Sequence, residues 1–148
     1  MKERTLKKLK EMLAAHEGKK NHAYQDVGGI WHIGIGRNID PSGLGLTDDE
    51  IEYLLDNDIV RVMRELAGAF PWYSELDEVR SDALIMIAFN LGLTRLRKFE
   101  KALAAMETGN YVSARIEFMD SLWSKQVGHR AEVLSTMIET GQYPDVTL

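Results

Sequence analysis

The sequence predicts an α+β protein, predominantly helical, with a small helix-and-hairpin lobe joined by a long helix to a larger helical lobe. Three observations carry this. Apolar residues recur at helical spacing through most of the 148 residues. The period changes only between Ala23 and Ile35, and a capping sequence at Thr47 opens one long periodic run.

Taken in order, Leu6, Leu9 and Leu13 mark a first helix, and Gly18 supplies the expected stop directly after Glu17. Glu17 therefore sits at the carboxyl end of that helix. Tyr24, Ile30, Ile33 and Ile35 then alternate with small and polar residues, and Gly28-Gly29 supplies a hairpin turn. After a loop containing Pro41, Gly43 and Gly45, "TDDE" at Thr47 to Glu50 reads as a capping box, with Ile51, Leu54, Leu55, Ile59 and Val62 following. Acidic residues crowd the start of this helix, where the helix dipole favours them. It runs to about Ala67, long enough to span between two lobes. Pro71 breaks the pattern, and four glycine-divided helical segments complete the chain. The expected division is one domain, 1–148, with a small lobe at about 14–46, a connecting helix at 47–67 and a helical lobe at 68–148 on which the first helix packs.

A chain of this length supports one domain with a real core. Hydrophobic residues make up 45% and charged residues 28%, well away from the composition of disordered chains. No cysteine is present, which excludes disulfides and thiolate chemistry. The net charge of −5, with acid concentrated between residues 40 and 82, argues against a nucleic-acid partner. The amino-terminal helix is interrupted by charge too often for a secretory leader, and no later stretch suits stable membrane insertion. The expectation is a soluble protein made in the cytoplasm, with any target beyond the membrane reached by a separate route.

Several motifs fail on spacing. "GIGRNI" has two of the three glycines of a dinucleotide loop, and no phosphate-loop lysine follows. "HEGKK" begins like a zinc-protease helix, but Lys20 stands where the second histidine would be. Four scattered histidines give no zinc-ligand pattern, so no metal or organic cofactor is expected. Glu17 and Asp26 remain: a carboxylate at a helix end and another on a hairpin can flank a bond, as glycosidases require to protonate a leaving oxygen and support a developing cation.

Glu17, Gly18, Tyr24, Asp26, Gly29 and "IGIG" at Ile33 to Gly36, with eight residues between the acids, resemble the active-site signature of the T-even-phage lysozyme family. "SELDEVRSDALIMIAFNLG" resembles that family's long buried helix, and "SLWSKQVGHRAEVLSTMIETGQY" its tryptophan, glutamine and arginine segment. The resemblance spans nearly the whole chain in order. It implies a lysozyme-like, two-lobed fold and cleavage of the β-1,4 bond between N-acetylmuramic acid and N-acetylglucosamine. By this resemblance Glu17 is the general acid, Asp26 the second carboxylate, and Arg130 the residue that orients the acid. Asn38, Phe89, Asn90, Glu117 and Gln126 fall at substrate-binding positions, with Asn90 in place of the usual glutamine and Glu117 in place of an asparagine. The bland readings are that Phe89 and Trp123 are core, that Asn90 and Gln126 cap helices or bind water, and that Arg130 is an ordinary surface cation.

The departure from the family pattern is His32, where threonine is usual. Three readings stay open: His32 holds the attacking water as a base, which gives inversion; it attacks the sugar itself, which gives retention; or it points away from the site. Strand alternation does not decide its facing. Arg37 is a second departure, with two readings open: pairing with an acid of the connecting helix, such as Asp56, or a solvated arginine. The resemblance further implies a monomeric phage endolysin acting on peptidoglycan after release by a separate holin. A retaining transglycosidase and a non-catalytic wall-binding, virion or secretion module are the alternatives.

Overall fold

The computed structural model describes residues 3–145, with side-chain burial from Leu6 onward. It is a mostly helical α+β protein with one small antiparallel sheet near the amino terminus. Its contacts separate residues 1–54 from residues 55–148.

In the first unit, α1 (Glu3–Glu17) ends as expected. The Gly18 amide closes on the Ala14 carbonyl at 3.0 Å, and Gly18 takes φ +77, a left-handed conformation that glycine adopts without steric cost. The chain then forms β1 (Lys20–Gln25), β2 (Trp31–Gly34) and β3 (Arg37–Asn38), in spatial order β1-β2-β3. Alternation in the sequence does not predict β3, because two residues are too few to show it. Tyr24 lies opposite His32 across β1 and β2, and His32 opposite Asn38 across β2 and β3. Cross-strand partners project from one face of a sheet, so this register groups Tyr24, His32 and Asn38.

None of the described residues of this first unit is fully buried. Turns and polar links therefore carry much of its local order. Thr47 Oγ1 accepts from the Glu50 amide at 3.3 Å and Glu50 Oε1 accepts from the Thr47 amide at 2.9 Å, a reciprocal capping box that opens α2 (Asp48–Ala69). Arg37 pairs with an acid of α2, and the acid is Glu50 where Asp56 was the example: its guanidinium makes a two-pronged pair with Glu50, at 2.9 Å and 2.8 Å, while also donating to the Gly45 carbonyl at 2.9 Å. The reason is local: Glu50 is already turned back by the capping box toward the loop that Arg37 reaches. Arg37 first, and then the Thr47 amide and hydroxyl, push the Glu50 carboxyl down from 4.5 to about 2. Since the folded value lies below the unfolded one, this contribution is complete above pH 4.5 and is lost as pH falls toward about 2. Arg37→Met should therefore flatten the acid-induced loss of stability across that window, read as urea midpoints at successive pH values. An unchanged slope would contradict the pairing.

The second unit contains the core. A 3-10 turn (Pro71–Glu75) follows α2, then α3 (Glu78–Leu91), α4 (Leu93–Leu96), α5 (Glu100–Glu107), α6 (Tyr111–Met119), α7 (Leu122–Val127) and α8 (His129–Thr140). Asp77 accepts from the Arg80 amide and caps α3, which buries Ala83, Leu84, Ile87, Ala88 and Leu91 along one face and leaves Met86, Phe89 and Asn90 exposed on the other. Phe99, Phe118 and Trp123 form a second focus, with ring centroids 5.5 to 6.4 Å apart, and Phe118 is fully buried. Each large apolar side chain enclosed in this core is worth about 1.5–3 kcal/mol. Where the sequence suggested one helix from Tyr111 through Trp123, two occur. Ser121 starts a new helix by accepting from the Ser124 amide, a local hydrogen bond that apolar spacing does not reveal.

Candidate active site

The hairpin turn is built around one side chain. Asp26 Oδ1 accepts from the amides of Gly28 at 2.8 Å and Ile30 at 3.0 Å, and the Asp26 amide donates to the Ile30 carbonyl at 3.0 Å. One oxygen of the carboxylate is thereby committed to shaping the turn. The other, Oδ2, lies 2.9 Å from His32 Nε2. The Ile30 amide foremost, followed by His32 and then the Gly28 amide, holds the Asp26 carboxyl below its ordinary value of 3.8. An ionised carboxylate only accepts, so the proton in this contact belongs to Nε2.

His32 is a half-buried residue whose Nδ1 is shut away from solvent, without a hydrogen-bond partner among the described residues. The imidazole stacks on Tyr24, with ring centroids 5.7 Å apart and planes inclined by 26°. The structure thus turns His32 toward Asp26, a facing that strand periodicity left open.

Glu17 is exposed at the end of α1. Its carboxyl lies over the backbone of Gly36, where an added Cβ would meet Oε2 at 2.9 Å and Cδ at 3.2 Å. Gly36 also has φ +71, so any other residue there is strained by about 1–2 kcal/mol. Gly36→Ala should cost that much stability and, on the expectation that Glu17 is the general acid, lower turnover by roughly ten- to a hundredfold, because small displacements of a reacting group are expensive. Steady-state rates beside thermal unfolding would check both effects. Wild-type turnover in a destabilised variant would show that Gly36 serves the fold alone.

Asn38 is engaged locally, its Oδ1 accepting from the Asp40 amide at 2.9 Å. In the second unit, Asn90 is exposed at the end of α3 and its Oδ1 accepts from the buried Trp123 indole at 2.9 Å. It caps no helix. This bond fixes the amide so that its NH2 group faces away from the indole. A buried indole N–H needs an acceptor, which is the signal that could have identified the pair from sequence. Trp123 is core, as expected for a large aromatic, whereas Phe89 is 47% exposed and departs from that expectation. Glu117 is half-buried on α6 and lines an open cavity of about 400 Å³ together with Lys98, Lys101 and Asp120. Gln126 and Arg130 are exposed on α7 and α8. Among the described residues no group of three or more His, Asp or Glu side chains is arranged to hold a metal. No helix there is long and apolar enough to cross a membrane.

A helix-end carboxyl and a hairpin carboxylate held ionised, on a mostly helical α+β fold, are the side chains that the class of two-carboxylate glycoside hydrolases requires. The profile of the phage lysozyme family matches residues 14–139, and the chain belongs to that family. It is accordingly a muramidase, whose substrate is peptidoglycan. Among curated proteins it is similar to two from Dictyostelium discoideum, probable T4-type lysozyme 2 at 28% identity and probable T4-type lysozyme 1 at 26%. Each alignment covers 90% of this chain and 94% of the relative. It is also 27% identical to the pre-baseplate central spike protein Gp5 of Enterobacteria phage T4, over 90% of this chain but 28% of that protein.

Proposed function

We propose that the chain cleaves the β-1,4 bond between N-acetylmuramic acid and N-acetylglucosamine with inversion, and that it serves host-cell lysis. Glu17 is the general acid: it donates its proton to the glycosidic oxygen as the bond from that oxygen to the anomeric carbon breaks. Asp26 is the anionic partner that stabilises the positive charge developing on the ring. Its Oδ2 retains a lone pair beside the one used by His32, and that lone pair receives the proton of the water attacking the anomeric carbon. The water oxygen becomes the new hydroxyl, Asp26 releases the proton it took to solvent, and solvent returns one to Glu17.

The observation that carries this reading is the Asp26 carboxylate, with three hydrogen-bond donors around it and a depressed pKa. Such a group is a stable anion, suited to support the positive charge developing on the ring. Inversion is favoured over attack by His32 because Nε2 is spent on Asp26 and Nδ1 is enclosed, which leaves neither ring nitrogen directed outward. His32 then acts by orienting Asp26. Asn90, fixed by Trp123, presents a donor to a sugar acceptor. Phe89, Glu117, Gln126 and Asn38 contribute the remaining contacts to the glycan, and Arg130 orients the acid by its place in the family pattern.

Digestion of purified peptidoglycan followed by mass spectrometry tests the bond assigned. New reducing ends should be N-acetylmuramic acid carrying one added water. Anhydro-sugar ends, or reducing N-acetylglucosamine, would contradict it. The lysis role rests on membership of the phage family, with release from the cytoplasm through a separate holin. Expression in a bacterial host should be tolerated until a membrane-permeabilising protein is induced beside it. The spike-protein relative supports a second reading, in which this muramidase travels with a particle. Co-sedimentation with virions would establish that one.

A further inference from the structure

We propose that Tyr24 is a positioning residue for the Asp26–His32 pair. Its ring confines the imidazole to the one tautomer, Nε2–H, that can serve the carboxylate. Three independent features of the small sheet meet at this point. The strand register sets Tyr24 directly across from His32. The rings are stacked 5.7 Å apart, within the range in which aromatic pairs attract. The ring nitrogen that does not face Asp26 is shut away from water and has no hydrogen-bond partner among the described residues.

Together these features make the two ends of the imidazole unequal. A neutral imidazole carries its proton on one nitrogen, and in water the two forms exchange freely. In this sheet a proton on Nε2 meets Asp26 Oδ2 at 2.9 Å. A proton on Nδ1 would be an unsatisfied buried donor and would turn the bare Nε2 lone pair toward a carboxylate, two penalties with no offset. The preference requires the ring to stay in this orientation, since a half-turn about the Cβ–Cγ bond would put a carbon, Cε1, where Nε2 meets Asp26. Tyr24 resists that flip by covering a face of the imidazole. Its own hydroxyl is not needed for this, so the flat ring is the operative feature.

The consequence for catalysis rests on the proposed roles of Asp26 and His32. A carboxylate whose inner lone pair is always occupied keeps its remaining lone pair aimed in one direction, which is what a water must find. Tyr24 acts on the reaction through His32 and Asp26 and touches no reacting atom.

The test uses the full-length 15N-labelled protein, with long-range proton–nitrogen spectra of His32 recorded near pH ~8, where an imidazole is ordinarily neutral. In the wild type, Nε2 should resonate as a protonated nitrogen and Nδ1 as a bare one. Tyr24→Phe should retain that pattern and the wild-type kcat. Tyr24→Leu should bring the two resonances toward each other and lower kcat per folded molecule, with the folded fraction read from the same spectra, roughly tenfold with KM unchanged. A proton on Nδ1, or averaged nitrogens, in the wild type would overturn the proposal without need of any variant. So would a Leu variant with wild-type resonances, or a Phe variant that behaves as Leu does. Because the spectra require no turnover, a wild type with the expected tautomer but no muramidase activity would sink the catalytic reading while leaving the positioning role intact.

Discussion

Glu17→Gln should lower kcat by about 10²–10⁴-fold, the range typical of a lost general acid. The glutamine amide is nearly isosteric and still hydrogen-bonds a sugar, but it has no proton to give to the departing oxygen. KM should therefore change little, since an interaction made only in the transition state has been removed. Stability should stay within about 0.5 kcal/mol of wild type, because Glu17 is exposed and its side chain lies over a glycine. Rates on solubilised peptidoglycan, beside a denaturation curve, separate these outcomes. Full turnover in this variant would remove Glu17 from the mechanism, and a large rise in KM alone would make it a binding residue.

The largest effect on stability is expected at Arg80, far in sequence from Glu17 and Asp26. Its Nε donates to the Ile138 carbonyl at 2.6 Å and one Nη to the Glu139 carbonyl at 2.9 Å, so it closes the carboxyl end of α8. The other Nη pairs with Asp77, the α3 cap, at 3.0 Å, and the guanidinium lies 3.8 Å over the Tyr111 ring. One side chain thus ties the start of α3 to the end of α8 and to the start of α6. It is only 18% exposed, so much of each bond is protected from competing water. Arg80→Ala should cost about 2–4 kcal/mol, from charge-assisted bonds lost and carbonyls left without partners. Arg80→Lys should recover little, because an ammonium cannot reach three directions in one plane. Urea unfolding measures both. A loss below about 0.5 kcal/mol would mean that these contacts are ordinary surface pairs. kcat per folded molecule should be unchanged in either variant.

How far the sequence disclosed this arrangement differs from residue to residue. The Thr47–Glu50 capping box was legible because both partners and their spacing lie within four residues, and the bonds form as that spacing demands. Glu17 at a helix end, with Gly18 as the stop, was legible for the same reason. The partner of Arg37 was legible in part: an acid of the connecting helix was expected, with Asp56 as the example, and loop closure and the capping box together deliver Glu50 of that helix. His32 could not be faced from alternation, since the sheet of the first unit encloses no fully buried described residue that would make one face apolar. The contacts that orient it, Tyr24 across the ladder and Asp26 across the turn, are matters of register. Phe89 shows the converse limit: aromatic character argues for burial, but its position beside the exposed Asn90 leaves it half in solvent. The brief helices α4 and α7 are set by caps and turns too short for apolar periodicity to resolve.

The most direct test of the mechanism is the configuration of the first product. Proton NMR of anomeric signals, recorded as fresh peptidoglycan fragments are cleaved and before mutarotation mixes them, should show α-N-acetylmuramic acid ends appearing first, as a water delivered by Asp26 requires. An initial β product would mean a covalent intermediate, and would contradict both Asp26 as the base that delivers the water and His32 as the group that orients it.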